Sequence, residues 1–227
     1  MSVKTLGLDD ALHRYVVAHS RPDDAVLASV AAETRRRWPE RVGLAIAPEQ
    51  GAFMELLARL TGASVAVEIG TFTGYSSICL ARGLAEDGHL HCFDASAEWT
   101  AVAREHWERA GLDQRITLHL GDAHEQLPAA LATLDAPVDL AFIDADKPGY
   151  PAYYEQLLAH LAPDGVIAVD NTLSGGRVVD PGDSDDARAI AAFNQQVVED
   201  PRVEVVLLPV ADGLSLISPV SGARDQR

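Results

Sequence analysis

The sequence predicts an α/β protein: a doubly wound, mostly parallel seven-stranded sheet with added N-terminal helices. Three observations predict it. From residue 64 onward, short β-branched or apolar runs alternate with helical stretches, the pattern of βαβ units around a parallel sheet covered on both faces. Ahead of them, residues 5–19, 22–37 and 48–62 carry helical periodicity and no strand pattern. At the far end, "VEVVLLPVADGLSLISPV" reads as two strands joined by a turn near Asp212 and Gly213, an antiparallel pair at one side of the sheet.

The elements follow in order. In 5–19, Leu8, Leu12 and Val16 recur at helical spacing against Asp9, His13 and Arg14. "RPDD" then breaks the helix and starts the next, 22–37. The helix at 48–62 opens with Pro48 at a first helical position and stops at Gly62. Strands are expected at 64–70, 88–95, 115–122, 138–145 and 165–171, with helices at 74–86, 97–110, 123–134 and 150–162 between them. A helix at 185–199 precedes the final strand pair. The 227 residues suit one domain with a substantial core.

Charge narrows the function classes. Eighteen Lys and Arg against 34 Asp and Glu give a formal charge of −16, which argues against nucleic acid and anionic membrane surfaces. The one dense basic run, Arg35 to Arg37 with Arg41 behind it, reads as a solvated helix face or as a docking spot for an anionic carrier or phosphate-bearing substrate tail. Cys79 and Cys92 sit in apolar surroundings and are expected as buried, reduced thiols. The opening residues lack a signal-peptide core and no run of about 18 apolar residues exists, so a cytoplasmic location is expected.

In such sheets ligands bind at the carboxyl ends of the strands. The first strand runs into "VEIGTFTGYSS". Gly70 and Gly74 allow a tight turn and close ligand approach, but the spacing is not G-x-G-x-x-G. Glu68 opposes a pyrophosphate and suits a positively charged ligand, unless it is only a solvated turn residue. Asp94 ends the second strand, about 20 residues on, where a ribose diol is bound. Asp122 and Ala123 follow the third strand, a seat for an adenine edge. Asp144, Asp170 and Asn171 end the fourth and fifth strands. Three side-chain oxygens there describe a hard-cation site for Mg²⁺, Ca²⁺ or Mn²⁺; the alternative is helix caps and a turn. Lys147, three residues after Asp144, reads as a general base beside that cation or as a salt bridge. Among the aromatics, Trp99 is expected to stack on the adenine or to pack its helix. Trp38 is a candidate for the acceptor pocket, and Tyr150 and Tyr153 for packing under a crossover helix. His13, His19 and His160 read as surface or cap residues, and His124 has no role assigned.

"VEIGTFTGYSS", "FDAS", "GDAHEQLP", "FIDADKPGYPAYYE" and "DGVIAVDNTL" resemble the cation-dependent class I O-methyltransferases, the group of caffeoyl-CoA and catechol O-methyltransferases. The resemblance runs from about residue 8 to 218. It implies a Rossmann-like methyltransferase core over 63–220, with residues 1–62 forming part of the acceptor site. It also implies S-adenosylmethionine as methyl donor. Glu68, Gly70, Thr71 and Ser76 would hold its methionine portion, Asp94 its ribose and Ala123 its adenine, with Tyr75, Ala95 and Asp122 also cofactor-binding. Asp144 and Asp146 would lie beside it. Asp144, Asp170 and Asn171 would ligate the cation, usually Mg²⁺, and Lys147 with Asp144 would form the catalytic centre. A homodimer is implied as well. The plant members' bulky aromatic and substrate-binding Asn are replaced by Ser174 and Gly175, and their hydroxyl residues before the helix at 48 by Ile46 and Ala47. The expected reaction is methyl transfer to a catechol-like vicinal diol. The alternatives are a hydroxyacyl group on a carrier protein or CoA and, more distantly, a nicotinamide-dependent oxidation.

Overall fold

The computed structural model describes residues 6–220. Three helices lead: α1 (Asp10–Ala18), α2 (Ala25–Arg37) and α3 (Pro48–Thr61). Asp9 caps α1 by accepting from the Leu12 amide, and Asp24 caps α2 through Val26 and Leu27. The first two helices therefore begin later than periodicity alone suggests, because the acidic residues before them cap the helices from outside. Thr5, the first residue of the expected leading helix, lies outside the described residues. Gly62 ends α3 in the left-handed region.

The sheet has seven strands: β1 (Val65–Ile69), β2 (His89–Asp94), β3 (Ile116–Leu120), β4 (Val138–Ile143), β5 (Leu161–Val169), β6 (Val203–Leu208) and β7 (Leu214–Pro219). Their order is β3-β2-β1-β4-β5-β7-β6. β1 to β5 are parallel, while β7 runs antiparallel to both β5 and β6. The crossovers are α4 (Tyr75–Gly83), α5 (Ala97–Ala110), α6 (Ala123–Leu131) and α7 (Tyr150–His160), and α8 (Asp185–Glu199) precedes β6.

Successive strand residues point to opposite faces, and each face has its own core. Ala66, Leu90, Cys92, Leu140 and Phe142 pack under α2, α3, α4 and α5. Val67, Ile69, Phe93, Ala141, Ile143 and Val169 pack under α6, α7 and α8. Both cysteines are free and fully buried, and burial raises the Cys79 thiol to about 12. Tyr150 and Tyr153 are buried with α7, as expected.

Among the described residues four short 3₁₀ helices, Pro39–Leu44, Asp113–Arg115, Lys147–Gly149 and Ser174–Val179, have no counterpart among the expected elements. β5 also starts earlier than expected, at Leu161. Leu161 pairs with Val138, and the register then slips before Leu140 meets Val166. Pro163 and Gly165 in that lead-in disguise a strand start. Among the described residues no helix is long and apolar enough to cross a membrane.

Candidate active site

A cavity of about 870 Å³ opens at the carboxyl ends of the parallel strands. The turn after β1 forms its floor. Gly70 has φ 93°, and a Cβ there would lie 1.9 Å from the Asp144 carbonyl oxygen. The Asp144 amide in turn donates to the Ile69 carbonyl (2.8 Å). Glycine at 70 thus lets β1 and β4 close on each other and sets where Asp144 points. Asp94 ties the same turn to β2. Its Oδ2 accepts from the Thr71 and Phe72 amides (3.1 and 2.8 Å) and its Oδ1 from Ser96 (2.8 Å). An extended chain of such bonds positions the carboxylate on the wall with lone pairs to spare.

The wall includes Gly70, Asp94, Ala95, Asp122, Ala123, Asp144, Asp146, Lys147, Asp170 and Asn171. Thr71, Tyr75 and Ser76 line a small recess beside it, with Gly70 and Asp144. The Tyr75 hydroxyl is engaged by Asp23 (2.5 Å). Glu68 reaches neither space, and the expectation that it meets a ligand directly is corrected here. It is fully buried behind the turn and accepts from the Ser77 hydroxyl (2.6 Å) and the Cys92 thiol (3.3 Å). Burial raises its carboxyl to about 7 against those hydrogen bonds. The reason is strand alternation: Glu68 faces α4, whereas Val67 and Ile69 face the opposite core.

At the tips of β4 and β5, Lys147 Nζ donates to Asp144 Oδ1 (3.2 Å), Asn171 Oδ1 (2.5 Å) and the Tyr150 hydroxyl (2.7 Å). All three ammonium donors are used. Tyr150 donates onward to the Asp170 carbonyl (3.3 Å). Asp170 is 3% exposed, and burial next to Asp144 pushes its carboxyl up to about 7. Burial likewise raises Asp144, with Lys147 opposing. Two desolvated carboxyls, Asp144 and Asp170, have one ammonium near them, and of the two it is bonded only to Asp144, so the corner is short of positive charge. That deficit and the all-oxygen donor set fit a hard divalent cation. Among the described residues no three His, Cys, Asp or Glu gather as a metal site; this set has two carboxylates and an amide.

Several contacts of the site come from packing and have no signal in the sequence. Asp146 accepts from the Tyr153 hydroxyl (2.7 Å), and His124 stacks on the Tyr153 ring at 4.6 Å. Trp99 is on the wall and also packs edge-on to Phe72 (5.0 Å), so both of its expected roles are compatible with its place. Arg41 sits over Trp99 at 5.5 Å. Trp38 packs behind Phe72 (6.2 Å) and is not on the wall. Ile46, Ala47 and Gln50 close one side, and Asp186, Ala211 and Asp212 another. Phe72, Asn171 and Ala211, with φ of 49°, 56° and 46°, are non-glycine residues held in the left-handed region on this wall, a strain that accumulates at functional sites. Lys147 is the only basic side chain on the wall among the described residues. Arg36 and Arg37 fold back onto Glu33 (2.6 and 2.5 Å).

Residues 17–220 match the family model described as O-methyltransferase. A Dictyostelium discoideum protein named probable caffeoyl-CoA O-methyltransferase 2 is 34% identical over 216 residues, which is 94% of this chain and 93% of that protein. A Niastella koreensis protein named catechol O-methyltransferase is 32% identical over 200 residues, 86% and 89% of the two chains. The crystal structure of an O-methyltransferase from Bacillus cereus in complex with SAH superposes with a TM-score of 0.84 at 33% identity, covering 92% of this chain and 97% of that one. These matches overturn the nicotinamide alternative, consistent with the missing G-x-G-x-x-G turn.

Proposed function

Since the chain belongs to the O-methyltransferase family, as an S-adenosylmethionine-dependent enzyme of the caffeoyl-CoA and catechol O-methyltransferase type, we propose that it methylates a hydroxyl of a catechol-like vicinal diol with the help of a divalent cation. The observation that carries this reading is the corner of Asp144, Asp170, Asn171 and Lys147 on a cavity wall whose other charged side chains are all carboxylates. Gly70, Thr71, Tyr75, Ser76, Asp94, Ala95, Asp122, Ala123, Asp144 and Asp146 are the proposed cofactor-binding residues, with Glu68 acting from behind the turn. Carboxylates without a phosphate cradle suit a sulfonium and a ribose diol. Asp144, Asp170 and Asn171 would hold the cation, Mg²⁺ first. When bound, it stabilises negative charge on an acceptor oxygen.

The chain's own residues do the rest. As the neutral amine, Lys147 would take the proton of the acceptor hydroxyl and become the ammonium, aimed by Tyr150. Gly70 and the β1–β4 contact hold Asp144 in place, so the acceptor oxygen and the methyl group are presented in line. The segment 39–47 closes the cavity over the acceptor, which is the proposed contribution of the N-terminal helices. A homodimer and a cytoplasmic location complete the proposal. Arg36 and Arg37 share the single carboxylate of Glu33, which offsets one of their two charges; the carrier-protein alternative rests on what remains of that basic run.

The test is methyl transfer from S-adenosylmethionine to caffeic acid, with EDTA or with added Mg²⁺. Product only with Mg²⁺ supports the reading; equal product under both conditions removes the cation from it. Lys147→Ala is expected to keep S-adenosylhomocysteine affinity and lose at least about 100-fold in kcat. Undiminished turnover in that variant would take Lys147 out of the base role.

A further inference from the structure

Asp146 stands just ahead of the 3₁₀ turn Lys147–Gly149, a place where an Asp side chain ordinarily caps the turn. Here it makes no such cap. Its Oδ1 instead accepts from the Tyr153 hydroxyl at 2.7 Å, and its Oδ2 lies 3.9 Å from His124 Nε2. The two ends of that hydrogen bond differ in exposure. Tyr153 is 1% exposed on α7, with His124 stacked on its ring at 4.6 Å. The Asp146 side chain is 56% exposed and stands on the cavity wall. Gly149 makes room for both, since a Cβ there would lie 2.6 Å from the Tyr153 ring and 2.7 Å from Asp146 Oδ2. Burial and the bond to Asp146 raise the Tyr153 phenol above its ordinary value, so it stays the donor. A fixed, buried donor thus holds an exposed carboxylate that keeps lone pairs to spare.

We propose that Tyr153 is a positioning residue for the methyl donor: its hydroxyl holds Asp146 in the orientation in which that carboxylate accepts a hydrogen bond from S-adenosylmethionine. The proposal rests on the reading of Asp146 as a cofactor-binding residue. His124 follows Ala123 on α6, and Asp122 and Ala123 are the proposed adenine seat. The Tyr153 and His124 contacts therefore anchor Asp146 to the adenosine side of the cavity rather than to the corner of Asp144, Asp170 and Asn171. Without the phenol the carboxylate is free to turn in water, and the cofactor must order it on binding. The effect falls on the methyl donor and leaves the acceptor corner as it is.

The experiment compares wild type, Tyr153→Phe, Asp146→Ala, the double variant and Gly149→Ala. It reads S-adenosylhomocysteine affinity by calorimetry, which needs no methyl acceptor, together with Tm and the KM values for S-adenosylmethionine and caffeic acid. Tyr153→Phe keeps the ring and its stack on His124 and removes the hydroxyl. It is expected to weaken S-adenosylhomocysteine about tenfold and to raise the S-adenosylmethionine KM by a similar factor. The caffeic acid KM and Tm should hold, because the exposed Asp146 loses its partner to water and is not left buried and unpaired. Asp146→Ala is expected to weaken binding at least as much, and the double variant no further than Asp146→Ala alone. Gly149 has a φ of −77°, open to any residue, so Gly149→Ala is expected to fold, displace the pair and weaken S-adenosylhomocysteine likewise. Full affinity in Tyr153→Phe or Gly149→Ala, with Asp146→Ala weakened, overturns the proposal alone. Additive losses in the double variant also overturn it, by showing that Tyr153 acts on something other than Asp146. An Asp146→Ala variant that binds as tightly as wild type removes Asp146 from the cofactor site and this proposal with it.

Discussion

Glu68 is a carboxylate walled off from water, and its ionisation is the clearest test at the scale of single residues. Its ordinary value is 4.5, and burial raises it to about 7. The folded chain therefore holds a proton that the unfolded chain has released, and stability falls as pH rises from about 4.5 to about 7, then levels off. A difference of that size corresponds to roughly 3 kcal/mol. Glu68→Gln is expected to flatten this part of the profile. It should be the more stable protein at pH 8 and lose that advantage at pH 5, as read by urea midpoints. Parallel profiles for the two proteins would mean that Glu68 is ionised in the fold. At this scale sequence reading located the strand-end residues, because a rule of chain direction says where they must be. It did not distinguish Glu68, which points across the sheet, from Asp94 and Asp144, which stand on its rim. Nor did it find Tyr150 as the anchor of Lys147, or Tyr153 on Asp146, since these pairs are made by packing rather than by order in the chain.

Among elements, the decisive one is the turn from β1 into α4. A Cβ at residue 70 would run into the Asp144 backbone, and the left-handed φ adds strain. Gly70→Ala is expected to cost about 3 kcal/mol or more and to weaken S-adenosylhomocysteine binding, measured by denaturant melts and calorimetry. A stable variant with full affinity would show that β1 and β4 can part without consequence. The strands were legible because continuous apolar runs bounded by turn residues have few other readings. The 3₁₀ segments were not. Pro39–Leu44 and Ser174–Val179 have no apolar period, and Gly175 and Gly176 take left-handed φ values inside the second. Helix ends were also blurred. α6 stops at Leu131 with Pro128 inside it, and α4 stops at Gly83, where a Cβ would strike α3 at the Glu55 carbonyl.

For the molecule as a whole, the formal charge of −16 is expressed where it matters, in a cavity with many carboxylates and one lysine. Like charges held together oppose the compact state, so a cation that binds the folded chain alone must stabilise it. Mg²⁺ at a hundredfold over its dissociation constant is expected to contribute about 2.7 kcal/mol. The accompanying rise in Tm should vanish in Asp144→Ala; a rise that survives would move the cation elsewhere. The α/β architecture was legible throughout, since alternation of strand and helix is a property of the entire chain. The shape of the acceptor pocket was not, because distant segments meet only in the folded state. Those segments share a property: 43–47, the β6–β7 turn and, off the wall behind that turn, the stretch after Asn171 all lie outside the strand ladders. The last two are joined to each other by the Leu173 amide on the Asp212 carbonyl (2.9 Å) and the Gly175 amide on the Asp212 side chain (2.6 Å). Inheritance can therefore rewrite the pocket in two moves, one before the first strand and one across a linked pair of loops. Substitution in those loops reshapes the wall while the strand-end residues proposed for the transfer keep their places.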